Sequence, residues 1–118
     1  MEKIVKQALL FDFYGELLTE HQKKVYYDVI SEDMSYSEIA EEYNISRQGV
    51  FDLVRRCDKI LLDYEEKLHL IDKFSKAKEN IKDISEITAA LKVKNSDPEL
   101  TEMIEKVEKR LDEIIEDF

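Results

Sequence analysis

The sequence predicts an all-α protein, a helix-turn-helix domain whose second helix extends into a helical C-terminal tail or hairpin. Three observations carry this. Two glycines and one proline are the only strong breakers in 118 residues, and 39 % of the residues are charged, a composition of solvated helices rather than of sheets and turns. Apolar residues recur at spacings of three and four from Val50 to Phe74 with no Gly or Pro between them. The stretch Ser35 to Cys57 combines caps, a turn residue and apolar positions that suit two short helices crossing at a tight turn.

Within that stretch, Ser35 with Glu38 three residues on reads as a capping box. Ile39, Ala40 and Tyr43 give the first helix one apolar face, with Ala40 small enough for a close crossing. Asn44 supplies the left-handed conformation that the turn requires. Ile45 plugs the corner and Ser46 caps the second helix, whose inner face is Val50, Leu53, Val54 and Cys57. An ordinary helical hairpin in a bundle core explains the apolar positions equally well, but it has no special need of Asn44 or Ser46.

Residues 2–14 read as a first helix, with Ile4, Val5, Ala8, Leu9, Phe11 and Phe13 apolar and Gly15 as its C-terminal cap. Phe11, Phe13 and Tyr14 are expected as core anchors. Thr19 with Gln22 forms a second capping box, opening a helix to about Ile30 with Leu18, Val25, Tyr26, Val29 and Ile30 inward and His21 toward solvent. Ser31-Glu32-Asp33 connects it to the helix-turn-helix. The second helix of that unit is expected to run unbroken from Arg47 to about Lys78, with a kink near Asn80 where the apolar phase shifts at Ile81, Ile84, Ile87, Thr88 and Leu91. Asn95-Ser96-Asp97 is a loop, Asp97 caps, and Pro98 takes the first position of a last helix. The expected organisation is therefore an N-terminal helical domain at 1–60, with the helix-turn-helix at 35–57, and a helical extension at 61–118 with its loop at 95–97 and last helix at 98–118.

That last helix carries Leu100, Ile104, Val107, Leu111, Ile114 and Phe118 at alternating spacings of four and three, a heptad seam. It can fold back on the chain's own long helix or pack on a second copy. The long helix offers more apolar stripe than one short helix covers, which favours a homodimer with Leu100, Ile104, Val107, Leu111 and Ile114 at its interface.

The net charge is −10, acidic for a nucleic-acid binder, so a DNA contact must come from a local basic patch acting against the overall field. One cysteine excludes an intramolecular disulfide and fits a reducing compartment. No apolar run approaches the length of a membrane span, and the N-terminus lacks a secretory pattern, so a cytoplasmic protein without membrane insertion is expected. No phosphate-binding glycine loop, catalytic triad order or Cys/His metal set occurs, so no enzyme chemistry, metal or cofactor is expected. Glu65 and His69 share a helix face at i, i+4, which reads as solvated surface rather than as a metal site. Cys57, on an inner face, reads as a core residue.

With the inner face assigned, the outer face of the second helix presents Ser46, Arg47, Gln48, Phe51, Asp52 and Arg55, with Arg56 and Lys59 on its flank. Arg and Gln suit bidentate contacts with guanine and adenine edges. Ser46 and the first backbone N–H groups can meet a phosphate. Asp52 repels phosphates but can accept from a cytosine amino group, or it can pair with Arg55 or Arg56. Phe51 can meet a thymine methyl or a protein partner. Gly49 costs a helix interior about 1 kcal/mol relative to Ala, which a close neighbouring backbone or phosphate would explain. Duplex DNA is the expected ligand.

These residues also carry a resemblance. Ser35–Arg56 resembles the helix-turn-helix of region 4 of bacterial sigma factors. Leu10-Phe11-Asp12-Phe13-Tyr14, Leu17-Leu18-Thr19 with Gln22, Glu38 to Tyr43, Ile45 to Asp52 and Tyr64 to Leu68 resemble the YlxM-like family of small bacterial helix-turn-helix proteins over roughly residues 4–75. The resemblance implies an all-helical DNA-binding regulatory domain. It also implies a link to the signal recognition particle pathway, whose genes neighbour the family's, and hence an alternative in which the chain binds that particle's protein or RNA.

Overall fold

The computed structural model describes residues 2–31 and 33–117. Met1, Glu32 of the expected connection and Phe118 of the expected heptad seam lie outside the described residues. All regular structure among the described residues is helical: α1 (Lys3–Tyr14), a 3-10 turn (Gly15–Leu17), α2 (Glu20–Ile30), α3 (Tyr36–Glu42), α4 (Arg47–Leu68), α5 (Leu70–Lys94) and α6 (Pro98–Asp117). The chain forms two compact units, Met1–Ile71 and Asp72–Phe118.

In the first unit, α1, α2 and α3 each pack on α4. The buried cluster runs through Leu10, Tyr14, Leu18, Val25, Tyr26, Val29, Ile39, Ala40, Val50, Val54, Cys57 and Leu61. Helix α1 turns inward a stripe that differs from the expected one: Gln7, Leu10 and Tyr14 are buried, while Val5 is half-exposed. A polar residue belongs there because Gln7 Nε2 donates to both oxygens of Asp58, at 2.9 and 3.2 Å. The Tyr26 hydroxyl donates to the same carboxylate at 2.6 Å. The trio joins α1, α2 and α4 with its donors satisfied, the condition for tolerating polar groups at this depth. Gly15 caps the C-terminus of α1 as expected, its N–H donating to Phe11 O, without entering the left-handed region. Its φ of −57° and ψ of −33° lead directly into the 3-10 turn, and its lack of a side chain serves packing, since a Cβ there would lie 3.0 Å from the Phe11 ring.

The caps form where the sequence places them. Thr19 Oγ1 accepts from Gln22 N–H and Gln22 Oε1 accepts from Thr19 N–H. Ser35 and Glu38 close the same reciprocal pair. Asn44 sits at φ 54°, in the left-handed region.

The expected course of the long helix is also overturned. The long helix does not run from Arg47 to Lys78, and no break occurs near Asn80. Helix α4 stops at Leu68, His69 adopts φ 54° and ψ 31°, and α5 runs uninterrupted from Leu70 to Lys94. The break is held from outside the helix. The Tyr14 hydroxyl donates to Glu65 Oε1 and accepts from the Leu70 N–H at 3.2 Å. Glu65 Oε1 also accepts from the Ile71 N–H at 3.0 Å. Two amides that the new helix leaves without intrahelical acceptors are thereby satisfied by side chains. His69, like Asn, is among the non-glycine residues more often found in this conformation.

The second unit is a helical hairpin. Asn95 Nδ2 donates to Asp97 O and to Thr101 Oγ1, and the Glu99 N–H donates to Asp97 Oδ1 at 3.0 Å, so Asp97 caps α6 as expected. Lys92 bridges to Glu105 and Glu108 at 3.6 and 3.2 Å, which sets α5 and α6 antiparallel. Ile81, Thr88, Ile104 and Leu111 are buried.

Candidate nucleic-acid interface

Helix α4 begins at a defined point because Ser46 Oγ accepts the Gly49 N–H at 2.9 Å. This also accounts for Gly49. A Cβ at that position would lie 3.1 Å from Ser46 Oγ, so within the chain the close neighbour is the capping side chain itself rather than another backbone. From this start, Val50, Val54, Cys57 and Leu61 are buried. Ser46, Arg47, Gln48, Phe51, Asp52, Arg55, Arg56 and Lys59 are all exposed. At about 100° per residue, those outer positions occupy roughly one half of the helix circumference.

The outer face thus presents four cations, Arg47, Arg55, Arg56 and Lys59, and one carboxylate, Asp52. The neighbouring acid, Asp58, is turned inward to Gln7 and Tyr26 and does not join that face. Asp52 accepts from Gln48 Nε2 at 3.0 Å, one turn back, so its hydrogen-bond partner is Gln48 rather than the Arg55 or Arg56 considered from sequence. This leaves the carboxylate and the Gln48 carbonyl as adjacent acceptors beside arginine donors, a mixed set that suits base edges better than a uniformly anionic surface.

Phe51 is 41 % exposed but not isolated. Its ring lies 4.4 Å from the Tyr36 ring, centroid to centroid, and the Arg47 guanidinium stands 5.9 Å over it. Tyr36 is therefore part of the site, although sequence reading missed it. It occupies the first position of α3, and only the crossing of α3 over α4 brings it to Phe51. On the flank, Arg56 and Asp52 line a hollow of about 410 Å³ together with Thr19, His21, Gln22, Ile45, Gly49 and Leu53. This places the start of α2 beside the outer face of α4.

Helix α3 carries the opposite charge. Glu38, Glu41 and Glu42 are exposed. Behind the face, the titratable core groups are held neutral. Burial and then the Asp58 charge push the Cys57 thiol up to about 11, which makes it inert as a nucleophile at neutral pH. Burial, then Asp58, raises the Tyr26 hydroxyl as well. The hydrogen bond that Tyr43 donates to Asp28 at 2.6 Å raises its hydroxyl to about 12.

Glu65 and His69 do not form a metal pair. Glu65 is engaged by Tyr14 and Ile71, and His69 occupies the left-handed joint. No group of three or more His, Cys, Asp or Glu side chains among the described residues is arranged to hold a metal. No helix among them is long and apolar enough to cross a membrane. Of the five residues expected at a dimer seam, Ile104 and Leu111 are buried within the chain, while Leu100, Val107 and Ile114 are 43 to 46 % exposed.

Comparison with known proteins gives the same architecture a family. Residues 1–103 match the UPF0122 family, described as "Putative helix-turn-helix protein, YlxM / p13 like". A UPF0122 protein of Acetivibrio thermocellus is 39 % identical over 116 residues, covering 98 % of this chain and 99 % of that protein. The UPF0122 protein YlxM of Bacillus subtilis is 41 % identical over 109 residues, covering 92 % of this chain and 96 % of that one. One from Clostridium acetobutylicum is 41 % identical over 112 residues. The matched segment contains every residue of the α4 outer face, and on that basis the chain belongs to the YlxM/p13-like family of helix-turn-helix proteins.

Proposed function

We propose that this protein is a DNA-binding regulator that seats the N-terminal half of α4 in the major groove of duplex DNA. The observation that carries this reading is the partition of α4: every side chain suited to a base edge or phosphate is exposed on one half of the helix, and the neighbouring acid, half-buried, is held by Gln7 and Tyr26. Arg47, Gln48 and Arg55 are the base readers, with Asp52 as an acceptor. Phe51, set by Tyr36 and Arg47, offers an apolar contact to a thymine methyl. Ser46, Arg56 and Lys59 meet phosphates, which fix register without reading sequence. The test is selection of a preferred duplex from a random pool, followed by titration with Arg47→Ala. Loss of a bidentate contact costs about 1–3 kcal/mol, so affinity for the selected duplex should fall about ten- to hundred-fold. Unchanged affinity would remove Arg47 from the readout.

A second reading has its own supporting observation, the three exposed carboxylates of α3 in a chain of net charge −10. An acidic surface complements a basic protein partner, and in this reading the chain is an accessory factor of the signal recognition particle. Retention of the chain by the purified particle protein and RNA at low salt tests it, and no retention counts against it.

A further inference from the structure

We infer that the second unit is half of a four-helix bundle, completed by the same hairpin of a second copy of this chain. The surface involved is not the full heptad seam that the α6 sequence displays, because half of that seam is used inside the hairpin. Thr88 and Ile104 lie eight residues on either side of Ser96, and Ile81 and Leu111 lie fifteen residues on either side. In an antiparallel hairpin turning at Ser96, each pair therefore sits at one level, and all four residues are buried. One of the four is a threonine. So small an interior is a weak basis for two helices of 25 and 20 residues, since helix stability in water comes mainly from packing an apolar face.

Each helix carries a second, exposed stripe beside the buried one. On α5 it is Ile84, Ile87 and Leu91, at spacings of three and four; on α6 it is Leu100, Met103, Val107 and Ile114. These side chains are 43 to 62 % exposed. At about 100° per residue, the exposed stripe lies roughly 75° from the buried one on α5 and roughly 60° on α6, in the same rotational sense along both helices. Because the helices run in opposite directions, equal rotations bring both stripes to one side of the hairpin. The result is an apolar face two helices wide, which is what each half of a four-helix bundle presents. Isolated surface leucines need no explanation, but a contiguous face does.

Charge identifies the occupant as a second copy. Helix α5 carries six lysines against four carboxylates, and α6 carries eight carboxylates against three cations. A two-fold axis parallel to the helices places α5 of each copy on α6 of the other. Every helix then meets one of opposite sign, antiparallel to it, in a self-complementary interface. The alternative two-fold, which sets α5 on α5 and α6 on α6, opposes like charges. In the favoured arrangement both copies of α5 enter the bundle at the same end. The dimer does not depend on the DNA reading. Only its consequence depends on that reading, namely a target with two half-sites.

Sedimentation equilibrium of the full chain at micromolar concentration, without DNA, tests the inference. The expected mass is about 28 kDa, twice the 14.0 kDa of one chain. Ile87→Glu should return it to the single-chain mass with its helical circular dichroism intact. Should that variant unfold, a second measurement keeps the question decidable. The variants Cys57→Ser/Ile84→Cys and Cys57→Ser/Val107→Cys are mixed and oxidised. Residues 84 and 107 lie at nearly the same level, so a disulfide-linked heterodimer is expected in preference to either homodimer. A wild-type chain that sediments as a monomer would overturn the inference, as would cross-linking confined to homodimers.

Discussion

Four residues have roles that their types alone do not announce, and each role can be tested. His69 holds a left-handed conformation at φ 54° that costs an L-residue with a Cβ about 1–2 kcal/mol. His69→Gly is expected to stabilise the first unit by up to about 1 kcal/mol, less whatever glycine adds to the entropy of the unfolded chain. A lower urea midpoint would contradict this. Tyr14→Phe removes the hydroxyl shared by Glu65 and the Leu70 N–H. A buried donor left without its partner costs about 1–3 kcal/mol, and the faster hydrogen exchange should concentrate at the Leu70 and Ile71 amides. Tyr43 and Cys57 give the pH dependence. Their folded pKa values are raised, from 10.0 to about 12 and from 9.0 to about 11, so the folded state holds these protons more tightly than the unfolded chain. Their contribution to stability is complete below pH 9 and is lost as pH rises through 12. Chemical denaturation across that window should show a falling midpoint, and Tyr43→Phe should flatten the upper part of the fall.

At the scale of elements, α3 and α4 act against each other electrostatically. Arg55→Glu with Arg56→Glu is expected to abolish duplex binding, whereas Glu41→Gln with Glu42→Gln is expected to tighten it by relieving repulsion at the helix that crosses the backbone. Anisotropy titrations of both double variants check the pair, and tighter binding by the arginine reversal would contradict the assignment of the face. The elements also differ in how much of them is legible in the sequence. Thr19, Ser35, Ser46 and Asn44 act within three or four residues of themselves, so the spacing shows the caps and the turn directly. The half-circumference of α4 is legible for the same reason, because one helix has one period. The α4–α5 joint is not. Its sequence contains neither Gly nor Pro, and the groups that stabilise it belong partly to Tyr14, more than fifty residues earlier. The inward Gln7 and the Tyr36–Phe51 contact escape for this reason too: each depends on a partner from another helix.

At the scale of the molecule, a net charge of −10 means that association with DNA is opposed at a distance and favoured only at contact. Four cations of the α4 face must prevail against that field, and each phosphate they meet adds to the salt dependence of binding. The most direct test of the account is fluorescence anisotropy of a labelled random-sequence duplex with the full chain, at about 50 and 200 mM salt. The account predicts binding at the lower salt with a dissociation constant of about 10⁻⁴ to 10⁻⁶ M, marked weakening at the higher salt, and loss of binding in the Arg55→Glu/Arg56→Glu variant. Absence of binding at the lower salt would contradict it, and would direct the α4 face to a protein or structured-RNA partner instead.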